Sequence, residues 1–303
     1  MSVHYPRIRI QAENGFVVVR EGLDITFYMR HRHDDIAPKV HLALEAYLRS
    51  VGADALGWYA DDEGELQPLD IAGWELVWRQ MRAPSSAAIQ LFDASNTETR
   101  YRFEYWGRTL EDTPLFKKAN IVSAVSFWLP TEFLEEHGPG HVRELALELA
   151  AHLPFCSGHA GLSFNGDLDL SGVAPHVSPY YFRYPGLDIP RMSWRSLHLG
   201  NRVVGPQWLT FLGQPVLGEL GGAAALRSHL ISPETTVQAL EGDRAVVTLG
   251  PWPEAGDTER GDTLPAYREL ARVLEPWLFR EPNGSMAGIP RQDVPRWERR
   301  FLD

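Results

Sequence analysis

The chain has 303 residues, enough to bury a large core, and its 40 aspartates and glutamates outnumber its 29 lysines and arginines, giving a net charge of −11. Proteins bind nucleic acids through lysine and arginine side chains that neutralise phosphates, so this balance argues against a nucleic-acid ligand. It is compatible with a basic protein partner, because an acidic surface attracts cationic partners over long range.

Cysteine usage and the apolar segments give an expectation for the cellular location. The single cysteine, Cys156, excludes an internal disulfide and argues against a secreted, disulfide-bonded scaffold. The first six residues contain no basic stretch followed by an apolar run, so no signal peptide is predicted. No run approaches about 18 apolar residues, which predicts no transmembrane helix and no membrane partner. We therefore expect a cytoplasmic protein.

The chain begins with predicted strands and continues with two predicted helices. Residues 16–20 and 23–30 are apolar segments separated by Glu21–Gly22, a pattern typical of a hairpin or of two consecutive strands. Apolar residues at helical spacing then predict helices over residues 34–50 and 70–82.

The middle of the chain combines strands with one long amphipathic segment. Strict alternation predicts a half-buried antiparallel strand over residues 99–106, with residues 89–92 as its partner. A nearly continuous apolar run predicts a more central strand over residues 120–129. A helix is predicted over residues 141–153, followed by a strand over residues 155–164.

The C-terminal half is punctuated by glycines. In order, it contains a predicted strand over residues 202–212, a brief strand at 216–217, a short helix over 222–230, a hairpin of residues 235–240 and 244–249 around Gly242, and a helix that begins at Pro265. Strands and helices therefore occur in clusters and do not alternate strictly. This order predicts an α+β fold with mixed, mostly antiparallel sheets packed against amphipathic helices.

The domain organisation is predicted to be simple. We expect one α+β domain over residues 1–303, with a possible subdivision near residues 130–155. Residues 280–303 contain several prolines and arginines and are expected to form a tail on the surface.

One cluster has the residue types of a metal site. His31, His33 and Asp35 follow a predicted strand and nearly reproduce the His-x-His-x-Asp-His sequence of metallo-β-lactamase-type hydrolases, in which imidazoles and a carboxylate bind zinc. Ile36 occupies the position of the final histidine, and the acidic residues also suit the start of a helix. A divalent-metal hydrolase and a solvated junction between a strand and a helix are the two interpretations.

No other cluster indicates catalysis or a cofactor. In a strand, Cys156 and His159 point to opposite faces, which favours a buried structural thiol over a nucleophile. The sequence around Ser163 lacks the Gly-x-Ser-x-Gly elbow of esterases. Glycine-rich nucleotide-binding loops and the His-Glu-x-x-His motif are absent, so we expect no cofactor.

Two acidic runs are candidates for contact with a basic partner. Either run is also compatible with a solvated loop. Their acidic residues are Asp61, Asp62, Glu63 and Glu65 in the first run, and Glu254, Asp257, Glu259 and Asp262 in the second.

Glycine and apolar residues form a characteristic series in the C-terminal half. The series comprises Phe155-Cys-Ser-Gly-His-Ala-Gly-Leu-Ser-Phe164, Trp208-Leu-x-Phe-Leu-Gly213, Leu217-Gly218, Gly221-Gly222, Leu226-x-x-x-Leu230, Pro253-x-x-Gly-Asp257 and Pro265-x-Tyr267-x-x-Leu270-Ala271. It resembles the type VI secretion immunity family associated with VRR-type nuclease toxins. The likeness extends from the first strand to the last predicted helix.

The resemblance implies a cytosolic antitoxin that binds a cognate secreted effector, most simply a nuclease, and blocks its active site or substrate groove without catalysis of its own. It carries no catalytic residue over to this chain. Two alternatives come from other classes of protein, the metal-dependent hydrolase using His31, His33 and Asp35, and a non-catalytic component of a secretion system or phage-like particle.

Overall fold

A computed structural model describes residues 4–95, 97–112, 114–170, 172–282, 284, 286 and 288–303 of the chain. The residues group into two compact units, each of which combines strands with helices. The first unit comprises Met1–Asp24, His159–Pro190 and Arg202–Asp303, and the second comprises Ile25–Gly158 and Arg191–Asn201.

The strands are short except for two. In chain order, those of the described residues are β1 Arg9–Gln11, β2 Val17–Met29, β3 Leu56–Ala60, β4 Leu66–Pro68, β5 Ala87–Asp93, β6 Arg102–Gly107, β7 Ser123–Pro130, β8 Ser157–Gly166, β9 Leu209–Leu212, β10 Thr235–Leu240 and β11 Arg244–Leu249.

The helices range from a single turn to six turns. Those of the described residues are α1 His33–Val51, α2 Ile71–Met81, α3 Thr131–His152, α4 Ala174–Tyr181, α5 Met192–His198, α6 Val216–Glu219, α7 Gly222–Ser228, α8 Pro265–Leu274 and α9 Val294–Glu298. None of them combines the length and the apolar character that crossing a bilayer requires.

In the second unit, the sheet runs in the order β7–β6–β5–β3–β4, and each neighbouring pair is antiparallel. Strand β7 is buried along its whole length, as the apolar run predicts, and β4 forms an edge of the sheet as the structure describes it. Helices α1 and α3 pack against each other, and α2 packs against β5. The hydroxyl of Tyr47 on α1 donates a 2.6 Å hydrogen bond to the Trp128 carbonyl on β7.

In the first unit, β10, β11 and β9 form an antiparallel series that continues to β8. The pairing of β10 with β11 confirms the predicted hairpin at both of its strands. Helices α6, α7 and α8 enclose a core against this sheet, with Leu226, Leu270 and Leu274 fully buried. Clusters of strands and helices in both units confirm the predicted α+β class.

Two local predictions are wrong. Strand β2 runs unbroken through Glu21–Gly22, because the buried Glu21 carboxylate accepts a 2.7 Å hydrogen bond from the backbone N–H of Ile8 on the neighbouring segment. The predicted strand at 216–217 is instead the helical turn α6. The helix predicted over 141–153 is present as the part of α3 that follows a kink at Gly138, whose φ is 79°.

The segment over residues 280–303 is not confined to the surface. Val294 and Trp297 on α9 are almost fully buried, and so is Phe301 beyond the helix. The Phe301 ring lies 5.5 Å from the ring of Tyr267 on α8. Part of the C-terminal segment therefore belongs to the core of the first unit.

Replacing Gly186 with alanine should lower the free energy of unfolding by about 1–3 kcal/mol, because the added methyl group would overpack a closed backbone contact. A Cβ atom at Gly186 would lie 2.0 Å from the carbonyl oxygen of Glu254. Gly140→Ala is the matched control, because a Cβ there meets no atom within 4 Å. Urea unfolding of both variants measures the difference, and equal midpoints would contradict the close approach.

Candidate functional site

The cluster at the start of α1 contains one buried histidine. His33 is fully buried, whereas His31, Asp34 and Asp35 are exposed. The His33 Nε2 lies 3.0 Å from the Ala83 carbonyl oxygen and therefore donates to it, so that Nδ1 accepts from the Tyr105 hydroxyl at 2.8 Å.

Both ring nitrogens of His33 are thus engaged by the protein. Among the described residues, no group of three or more histidine, cysteine, aspartate or glutamate side chains could hold a metal ion. The hydrolase hypothesis on His31, His33 and Asp35 is therefore not favoured. The junction has a structural role, in which the Asp34 carboxylate accepts a 2.9 Å hydrogen bond from the Ser85 N–H.

Stability should depend on the protonation of His33. Burial lowers the pKa of this imidazole below its ordinary value of 6.5, although the Ala83 carbonyl opposes the shift. Below about pH 6.5 the unfolded chain binds the proton more readily than the folded one, so His33 stabilises the fold fully above that pH and progressively less below it.

The stability advantage of the wild type over His33→Gln should shrink as the pH falls from about 8 to about 5. Urea midpoints at several pH values test this, and parallel curves would contradict it.

Cys156 and Ser163 also have structural roles. The Cys156 thiol is buried and donates to the Tyr28 carbonyl oxygen at 3.1 Å, and burial raises its pKa to about 11. A thiol with that pKa stays protonated at neutral pH and is a poor nucleophile. The Ser163 hydroxyl is buried and donates to the side chain of Asn165. These contacts agree with the predicted structural thiol.

The first acidic run forms the turn between β3 and β4. The Asp61 carboxylate accepts hydrogen bonds from the backbone N–H groups of Glu63 and Glu65, at 3.0 and 2.9 Å, and from Gln67 Nε2 at 2.9 Å. These bonds, that of Gln67 foremost, lower the pKa of Asp61. Asp61 therefore shapes the turn, while the side chains of Asp62, Glu63 and Glu65 are exposed at its tip.

The second acidic run lies in the first unit, and three of its carboxylates contact basic side chains. The Arg183 guanidinium donates to both oxygens of the Asp257 carboxylate, at 3.1 and 2.9 Å, and lies 2.7 Å from the Glu259 carboxylate. Its hydrogen bonds to Asp257 hold the pKa of that carboxyl below the ordinary value. Glu254 pairs with His4 at 2.5 Å, and Asp262 accepts the Asp257 N–H at 2.9 Å.

The two runs therefore differ in their electrostatic environment. No cationic side chain of the described residues forms an ion pair with Asp62, Glu63 or Glu65, whereas Arg183 pairs with Asp257 and Glu259, and His4 contacts Glu254. The sequence alone does not make this distinction, because Arg183 and His4 are about 70 and 250 positions away from the carboxylates that they contact.

In this α+β protein the candidate side chains of His33, Cys156 and Ser163 make structural contacts, and the carboxylates of Asp62, Glu63 and Glu65 are exposed. The Pseudomonas aeruginosa T6SS protein PA0821 has a similar structure, with a TM-score of 0.77 over 97% of this chain and 87% of that chain and a sequence identity of 20%. A search of curated proteins finds no match.

The family assignment comes from sequence. The profile of the TsiV family, described as type VI immunity for VRR-NUC, matches residues 39–301. The chain therefore belongs to the TsiV family of type VI immunity proteins, which confirms the resemblance carried by its glycine and apolar residues.

Proposed function

We propose that this protein neutralises a VRR-NUC toxin by binding it and covering its active site or nucleic-acid groove. The observation that carries the proposal is the match to a type VI immunity family over residues 39–301. The protein acts in the cytoplasm, where the nucleic acids that a nuclease toxin attacks are found. It acts without catalysis, in keeping with the structural roles of His33 and Cys156.

The acidic charge supplies a physical basis for such inhibition. A nuclease holds its substrate through cationic side chains that contact phosphates, and carboxylates on a partner protein can occupy the same cationic groove. The chain carries 11 more acidic than basic side chains, and this excess suits contact with a cationic groove. The same excess would repel the phosphates of a nucleic-acid ligand. The partner is thus a protein.

The two acidic runs contribute to this contact in different ways. Asp62, Glu63, Glu65, Glu259 and Asp262 have exposed side chains and supply direct contacts to the toxin. The other three acidic residues of the two runs hold the loops in the shape that presents the exposed carboxylates. They are Asp61, Glu254 and Asp257.

Mixing the purified protein with its cognate VRR-NUC toxin should produce a complex that elutes earlier than either component from a sizing column. Co-expression should protect cells from that toxin, and an unrelated acidic protein of similar size is the control in both assays. If no complex forms and the cells die, the proposed function is wrong.

Raising the salt concentration should slow association, since ions screen attraction between charged surfaces.

A further inference from the structure

Exposed apolar side chains are concentrated in one part of the second unit. Seven large apolar residues are exposed in the part of the chain that the structure describes, and three of them lie within eleven positions of one another. These three are Leu66 at 53%, Ile71 at 83% and Leu76 at 37% of full exposure. Leu66 belongs to the edge strand β4, and the other two belong to α2. Clustered exposed apolar side chains are a feature of protein-binding surfaces.

Two half-buried tryptophans add to this surface. The rings of Trp74 and Trp78 on α2 stack 5.1 Å apart, and the Trp78 ring stacks on His41 of α1 at 4.3 Å. Partly exposed tryptophans held by stacking are typical anchors in protein interfaces. We define the α2 face as the exposed part of α2 that carries Ile71, Trp74, Leu76 and Trp78, with Leu66 of β4. Leu76 lies about 140° around the helix from Ile71, so this is a broad surface and not a single stripe.

Helix α2 is rigidly attached to the sheet behind this face. The Asp70 carboxylate caps its first turn by accepting a 2.9 Å hydrogen bond from the Gly73 N–H. A Cβ atom at Gly73 would lie only 2.6 Å from the Pro68 carbonyl oxygen, so the helix approaches β4 as closely as a glycine permits. Val77 and Met81 are buried beneath it. A face fixed before binding loses little conformational entropy when a partner docks.

The charge around the α2 face is mostly negative. Residues 50–82 contain two basic residues, Arg79 and Arg82, and seven acidic ones, which are Asp54, Asp61, Asp62, Glu63, Glu65, Asp70 and Glu75. The tip of the acidic turn adjoins α2, because Gln80 Nε2 donates to the Asp62 carboxylate at 3.3 Å. Apolar anchors bordered by carboxylates complement a partner that has apolar side chains bordered by lysines and arginines.

We propose that the α2 face, with the acidic turn 61–65 beside it, is the main surface that binds the toxin, and that it docks on the cationic, nucleic-acid-binding side of the VRR-NUC protein. The inference rests on the proposed function and specifies its contact surface. A second copy of this chain is a poor occupant, because two such faces would oppose carboxylates to carboxylates.

Binding affinities of single variants test the apolar part. Ile71→Asp and Leu76→Asp should each weaken binding of the cognate VRR-NUC toxin by about tenfold or more, as expected for anchor positions. Leu115→Asp and Ile231→Asp are matched controls, because these side chains are 84% and 87% exposed and lie outside the α2 face. The controls should bind like the wild type, and all four variants should unfold near the wild-type temperature.

A charge reversal tests the acidic border. The double variant Glu63→Lys/Glu65→Lys should slow association by about tenfold at low ionic strength, and added salt should reduce the difference. The control is Glu13→Lys/Glu241→Lys, which makes the same charge change at two exposed positions in the first unit. It should slow association much less.

The outcomes separate the two proposals. If the wild type binds but the α2 variants bind as well as their controls, the α2 face is not the toxin-binding surface, while the proposed function stands. If the wild type does not bind, both proposals fail. A dimer of the free protein that Ile71→Asp dissociates would also overturn the inference, because it would assign the face to a second copy.

Discussion

Replacing Trp297 with alanine is expected to lower the free energy of unfolding by about 3–5 kcal/mol, the range for deleting a large buried aromatic side chain. Trp297 is 1% exposed, although only six residues follow it in the sequence. Its ring lies 5.8 Å from that of Tyr181 and 6.1 Å from that of Phe182, and the Arg300 guanidinium covers it at 4.0 Å. Such a loss would be a large fraction of the stability of an ordinary domain.

Urea unfolding measures this loss, and Trp252→Ala is the control. Trp252 also belongs to the first unit, but it is half-buried and stacks on His4 at 5.0 Å. We expect its replacement to lower the free energy of unfolding by about 0.5–1.5 kcal/mol. Equal losses in the two variants would mean that the C-terminal segment is not an integral part of the core.

Replacing Glu21 with alanine is the second large effect that we expect, about 3–5 kcal/mol, because it removes one partner of a buried ionic group. The Glu21 side chain is completely buried, accepts the Ile8 N–H at 2.7 Å, and forms ion pairs with Arg9 and, at 3.7 Å, with Arg7. Alanine would leave the Ile8 N–H without its acceptor and remove the carboxylate that the two arginines contact.

Two further variants separate charge from hydrogen bonding at this position. Glu21→Gln keeps an acceptor oxygen for the Ile8 N–H but removes the charge, so it should lose less stability than Glu21→Ala. Glu13→Ala, at an exposed site, should change the free energy of unfolding by less than about 0.5 kcal/mol. If Glu21→Ala is no less stable than Glu13→Ala, the buried ion pairs do not contribute to folding.

Turn residues and regular apolar spacing in the sequence predicted those strands and helices whose formation depends on neighbouring residues. The hairpin of β10 and β11 follows from two apolar segments around a turn with a glycine, and α8 follows from Pro265 and regular apolar spacing. Strand β2 could not be predicted in the same way. Glu21–Gly22 has the composition of a turn, and only pairing of Glu21 with a separate segment makes a buried carboxylate acceptable in a strand.

The acidic runs and α2 show where sequence reasoning ends at the candidate site. Both runs have the same composition, and only the fold brings Arg183 and His4 to the second one. Helix α2 is apolar on most of its circumference, so periodicity predicts the helix but does not choose its buried side. The structure buries Gly73, Val77 and Met81 and leaves Ile71 and Leu76 exposed.

The central proposal is that this TsiV-family protein inhibits a VRR-NUC nuclease by covering it. The most direct measurement is a titration of DNA cleavage by the cognate VRR-NUC toxin, at a toxin concentration well above the dissociation constant. Cleavage should fall linearly and end when the two proteins are equimolar, and Ile71→Asp should require a clear excess. Undiminished cleavage in the presence of excess wild-type protein would contradict inhibition by binding.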